Sequence, residues 1–78
     1  MSKRLLVEPR GWPCSFFSCP PGPFIWEGNV CLKTEYGCNE AYNETGEVFW
    51  GGVDTPEERA KLIVQPCIYV WNDKNQEN

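Results

Sequence analysis

Five cysteines, at positions 14, 19, 31, 38 and 67, are the residues here with the most chemistry to offer. A cysteine nucleophile needs a base to form its thiolate, and the chain has no histidine. None of the five stands at the predicted helix start, where backbone dipoles lower a thiol pKa. Structural zinc normally takes paired ligands two to four residues apart, often with histidine. Cys14 and Cys19 lie five apart, an offset that puts two side chains on opposite faces of a strand. The cysteines therefore read as small buried hydrophobes with reduced thiols, and no metal and no cofactor are expected. Glu35 with Glu40 or Glu47 would form a carboxylate pair if their strands were neighbours. Eleven acids on 78 residues produce such neighbours by chance, so a solvated acidic face is the plainer reading and no enzymatic activity is expected.

Two other constellations concern binding. Gly51-Gly52 precedes a capped helix, and exposed amides at a helix start can hold an anion. The spacing matches neither the phosphate-binding P-loop nor the dinucleotide fingerprint, so a tight strand-to-helix connection is the ordinary reading. Four Trp, four Phe and three Tyr are more than so small a core encloses, and those left outside suit a partner protein, a second copy or a stacked base or sugar. Backbone geometry alone accounts for the turn and the cap but not for the side chains of Tyr36, Trp50 and Arg59. With Gly51 and Gly52, these are the candidate binding residues.

The elements that would position them are short. Leu5-Leu-Val7 predicts an edge strand, and Glu8 to Pro13 a break after which Trp12 packs back onto the core. Cys14 to Cys19, bounded by prolines, reads as a strand with Phe16 and Phe17 on opposite faces. Pro20-Pro-Gly-Pro23 must turn, and Phe24-Ile-Trp26 resumes extended structure before a turn at Glu27 to Asn29. Val30 to Tyr36 alternates, with Val30, Leu32, Thr34 and Tyr36 on one face and Cys31, Lys33 and Glu35 on the other. Glu40 to Asn43 and Glu47 to Trp50 flank Glu44-Thr-Gly46, a three-residue hairpin connection with glycine at the left-handed position. Thr55 as cap, Pro56 at the first helical position and Glu58 closing a capping box predict a helix over 55–63. Cys67 to Trp71 is the last strand, and residues 72–78 form a disordered polar tail. Residues 1–71 thus make one domain, a small β-rich α+β fold of short antiparallel strands with one helix.

Composition removes several function classes. Seven basic against eleven acidic residues give a net charge of −4, the wrong sign for a nucleic-acid backbone binder. No apolar run approaches the eighteen residues of a membrane span, and no lipidation motif is visible. Met1-Ser-Lys-Arg4 precedes only three apolar residues and does not read as a secretory leader, which agrees with a reducing compartment.

Cys19-Pro-Pro-Gly-Pro-Phe24, Lys33-Thr-Glu-Tyr-Gly37, Phe49-Trp-Gly-Gly52 and Glu57-Glu-Arg59 with Leu62 and Val64-Gln-Pro66 resemble segments of small proteins encoded by tailed bacteriophages and prophages. The resemblance covers roughly residues 12 to 67; Cys38 and the Asn-rich tail depart from it. It implies action in the cytoplasm of an infected bacterium, or in the virion, and no particular activity. The function expected is therefore non-catalytic binding, by contact with a host or phage protein or by self-association through exposed aromatics. The alternatives are an oligomer that sequesters a nucleotide signal to blunt host defence, and a minor virion component.

Overall fold

A computed structural model of the chain describes residues 4–37 and 40–72. Cys38 and the polar residues beyond Asn72 lie outside that range, as does Lys3. The fold is a small β-rich α+β domain. Its strands are β1 (Arg4–Pro9), β2 (Cys14–Ser15), β3 (Gly22–Trp26), β4 (Asn29–Lys33), β5 (Ala41–Tyr42) and β6 (Ile63–Asn72), with one helix, α1 (Pro56–Ala60). All pairings are antiparallel, in the order β1-β6-β3-β4-β5, with β2 also on β6.

β6 is the spine of this sheet and runs well beyond the predicted Cys67 to Trp71. It continues through Pro66, which is opposite Phe24 and whose carbonyl accepts the Arg10 N–H at 2.9 Å. Proline fixes an extended geometry in itself and in Gln65, so it bars helix there and suits the interior of this strand. α1 accordingly stops at Ala60, three residues short of expectation, because Ile63 is already paired with Ser15. The cap forms as predicted: Thr55 Oγ1 accepts the Glu58 N–H at 3.1 Å, and Glu58 Oε1 accepts from Thr55 Oγ1 and from the Asp54 N–H. The connection 44–46 also forms as predicted, with Gly46 at φ 89 and Asn43 Oδ1 accepting the Thr45 and Glu47 N–H groups.

Three local expectations are corrected. Cys14 to Cys19 is not a continuous strand: after Ser15 the chain makes a helical turn, with the Ser18 and Cys19 N–H groups donating to Ser15 O at 3.0 Å each. Phe16 is thereby buried and Phe17 exposed, and Cys14 and Cys19 come side by side rather than onto opposite faces. β1 pairs with β6 as far as Pro9, past the break predicted at Glu8. Trp12 is 87% exposed and does not pack on the core.

Register fixes which side chains share a face. Phe24, Cys31, Ala41 and Val64 fall on one side and, with Phe16, Cys19 and Phe49, form the buried core. The four aromatic rings Phe16, Phe24, Trp26 and Phe49 meet at centroid distances of 5.2–5.6 Å, in the edge and tilted arrangements aromatic pairs prefer.

Candidate functional site

Lys33 and Arg59 are the charged residues buried in this core. Lys33 Nζ donates to the carbonyls of Phe16 and Cys19, the latter at 2.7 Å, and lies 4.5 Å from the Phe16 ring centroid. It closes the turn after β2 onto β4, a structural use that places an ammonium on the core face of its strand. Arg59 Nη1 donates to Phe49 O at 2.9 Å, and its guanidinium stacks 4.3 Å from the Trp50 ring. Planar guanidinium on an indole face is a favourable cation–π arrangement. Arg59 thus pins the Phe49-Trp50 segment to the helix.

Of the residues singled out from sequence, Trp50, Gly51 and Gly52 come together on the wall of a groove of about 430 Å³. Trp26, Asn29, Asn43 and Glu44 complete its chemical character. Arg59 sits behind it on Trp50, and Tyr36 stands on an exposed loop that does not line it. The charged lining group is the carboxylate of Glu44, and among the described residues neither lysine nor arginine contributes to the wall. A phosphate would meet an acid there with no facing cation.

Three of the described thiols, those of Cys19, Cys31 and Cys67, are held in the protonated form. Burial, reinforced by neighbouring Cys14, pushes the Cys19 thiol up to about 11, and burial also raises Cys31 and Cys67. Cys14, Cys19, Cys31 and Cys67 are all free. Among the described residues no group of three or more His, Cys, Asp or Glu side chains is arranged to hold a metal ion. Glu40 accepts the Tyr42 hydroxyl at 2.8 Å, and this bond raises the Tyr42 phenol, with Glu35 adding to the effect. Those two acids therefore gather around Tyr42, not around a cavity.

The feature that sequence reasoning missed is the other face of the sheet. Pairing sets Leu5 opposite Trp71 and Val7 opposite Tyr69, and the same side carries Ile25 opposite Val30 and Leu32 opposite Tyr42. Its strand positions carry no charged residue. Yet Leu32 is 38% exposed, Tyr69 47%, Leu5 51% and Trp71 63%. A sheet with one face in water ordinarily alternates apolar inward and polar outward. Here β6 reads Val64, Pro66, Ile68 and Val70 on one face and Ile63, Cys67, Tyr69 and Trp71, interrupted by Gln65, on the other. A strand apolar on both faces is the sequence signal of a sheet meant to be covered on both sides. The described chain covers one throughout; on the other, Pro23 and Cys67 are buried at the middle of the sheet while Leu5, Leu32, Tyr69 and Trp71 around them stay exposed.

No family model, curated protein or solved structure matches this chain. Among the described residues no helix is long and apolar enough to cross a membrane.

Proposed function

We propose that this chain is a non-catalytic interaction protein whose working surface is the uncovered face of its sheet. One observation carries the reading: a sheet face whose strand positions are uncharged, with Leu5, Leu32, Tyr69 and Trp71 open to solvent and the acids Glu40 and Glu35 confined to its Tyr42 edge. Exposed contiguous apolar area beyond a few hundred Å² marks an interaction site in a stable protein. The phage-like segments set this binding in an infected bacterial cell, with a phage or host protein, or the chain itself, as partner. Nucleic acid and membrane are set aside as partners on the net charge of −4.

The test is site-specific photocrosslinking in cells that make the protein. A benzoylphenylalanine in place of Trp71 should yield adducts of defined mass, and the same probe in place of Glu57, exposed on α1, should not. No adduct from position 71, or the same ladder from both, overturns the reading.

The groove at Trp50 supports a second reading, capture of a small ligand. Its aromatic walls, the Asn29 and Asn43 amides and the Glu44 carboxylate suit an uncharged or cationic compound better than a nucleotide signal. Sequestration of a nucleotide would raise the melting temperature in its presence, and an unmoved Tm across a nucleotide panel removes that version.

A further inference from the structure

Resting on the interaction face just described, we infer that its occupant is a second copy of this chain, packed sheet to sheet across a twofold axis. Three observations choose that partner. The strand positions of the face are uncharged while the chain carries −4, so they offer nothing for electrostatic recognition of a basic or acidic partner, and acids other than Glu40 and Glu35, which sit at its Tyr42 edge, lie off these positions. Glu8, for example, belongs to the opposite face of β1, and Glu57 and Glu58 belong to the first turn of α1. A face of this kind is self-complementary in charge, as an isologous interface requires.

Its size fits as well. Large apolar and aromatic side chains bury about 150–250 Å² each, and the residues exposed by roughly half, from Leu32 at one end to Trp71 at the other, sum to several hundred Å². That is on the order of the ~800 Å² per partner of a stable protein interface. Sheets packed face to face align within about 30° and interdigitate, and a flat aliphatic and aromatic surface permits this without rearrangement.

The third observation is the ribbon. Among the described residues β1 pairs with β6 alone, and beyond Ile68 that pair runs past the reach of β3, whose pairing with β6 is confined to Gln65 and Pro66. A two-stranded ribbon alone is marginal in water, and this one exposes Leu5, Leu6, Tyr69 and Trp71. A second copy across the sheet supplies the missing layer under its Leu5, Tyr69 and Trp71 side, so that each sheet is packed on both faces.

Sedimentation equilibrium of the purified full chain between about 1 and 100 µM tests this. The expected mass is twice the 9.0 kDa chain. Leu32→Glu and Trp71→Glu, at opposite ends of the face, should each give folded monomers by circular dichroism, with self-affinity down at least a hundredfold. Glu57→Lys, away from the face, should stay dimeric. A folded wild-type monomer throughout this range overturns the inference. So does a dimer that both face variants leave intact. If the wild type is monomeric while position 71 still crosslinks a different protein in cells, the interaction face stands and only the second-copy assignment falls. If position 71 crosslinks nothing, both fall. Should a face variant fail to fold, hydrogen exchange on the wild type replaces it: amides of β1 and of residues 68–72 must gain protection between 1 and 100 µM, and concentration-independent exchange there counts against the dimer.

Discussion

Lys33 is the residue whose role departs furthest from its type. An ammonium that is 1% exposed is tolerable only when its donors are used, and here they meet carbonyls of the turn that carries Phe16 and Cys19 into the core. Removing it strands those carbonyls and opens a void. Lys33→Ala should therefore cost about 2–4 kcal/mol, seen as a melting temperature lower by roughly 10–20 °C. Lys61→Ala, on an exposed side chain, should stay within about 0.5 kcal/mol of wild type. A Lys33→Ala protein as stable as wild type would show that the turn holds without it. The thiols make a second prediction at this scale. The folded pKa values of Cys19, Cys31 and Cys67 lie above the ordinary 9.0, with Cys19 at about 11. Between those values the folded chain binds protons that the unfolded chain has lost, so stability is intact below pH 9 and falls as pH rises toward 11. Denaturant midpoints at pH 7.5, 9 and 10.5 should show the decline, and Cys19→Ala should make it shallower.

At the scale of elements, the parts legible in sequence are those set by a few neighbouring residues. The Glu44-Thr-Gly46 connection and the Thr55 capping box form because backbone rules specify them locally. What was not legible is register. Val30 and Leu32 alternate with Cys31 and Lys33 as read, but local pattern gives the natural core role to the two aliphatics, and the fold gives it to Cys31 and Lys33. Only the pairing of β4 with β3 and β5 decides which side faces Phe16 and Phe49, and that is long-range information. The same limit hid the exposure of Trp12 and the turn that brings Cys14 beside Cys19. The candidate site was legible in part: Trp50, Gly51 and Gly52 do share a groove, while Arg59 acts behind it and Tyr36 apart from it. The glycine pair shows why a sequence reads alike where a structure differs. Both have left-handed φ, 71 for Gly51 and 76 for Gly52, but a Cβ at Gly51 would run into Leu62 Cδ1 and one at Gly52 meets open space. Gly52→Ala should cost about 1–2 kcal/mol for the backbone alone. Gly51→Ala should cost about 2–4 kcal/mol, adding overpacking to the same strain. Equal losses in urea melts would mean that Leu62 moves aside freely.

For the whole molecule, the balance is between apolar area and charge. A 78-residue chain buries only about 60% of its unfolded surface, and this one leaves a sheet face among the exposed remainder. If covering that face by a second copy is part of folding, the unfolding reaction releases two chains and its midpoint depends on concentration. With about 2.1 cal/mol/K of unfolding entropy per residue, a tenfold rise in concentration should raise Tm by about 4 °C. A single-chain transition would not move. Salt separates this from docking on a basic partner. Two copies at −4 each repel beyond their apolar contact, and raising NaCl from 0.02 to 0.5 M shortens the screening length from roughly 20 Å to about 4 Å. Self-association should therefore tighten with NaCl and tighten further with sulfate, which strengthens apolar burial. A charge-steered complex would weaken over the same range. A Tm that climbs with both protein and salt is the joint signature of an apolar contact between like-charged copies, and a Tm indifferent to both leaves the exposed face without a partner of its own kind.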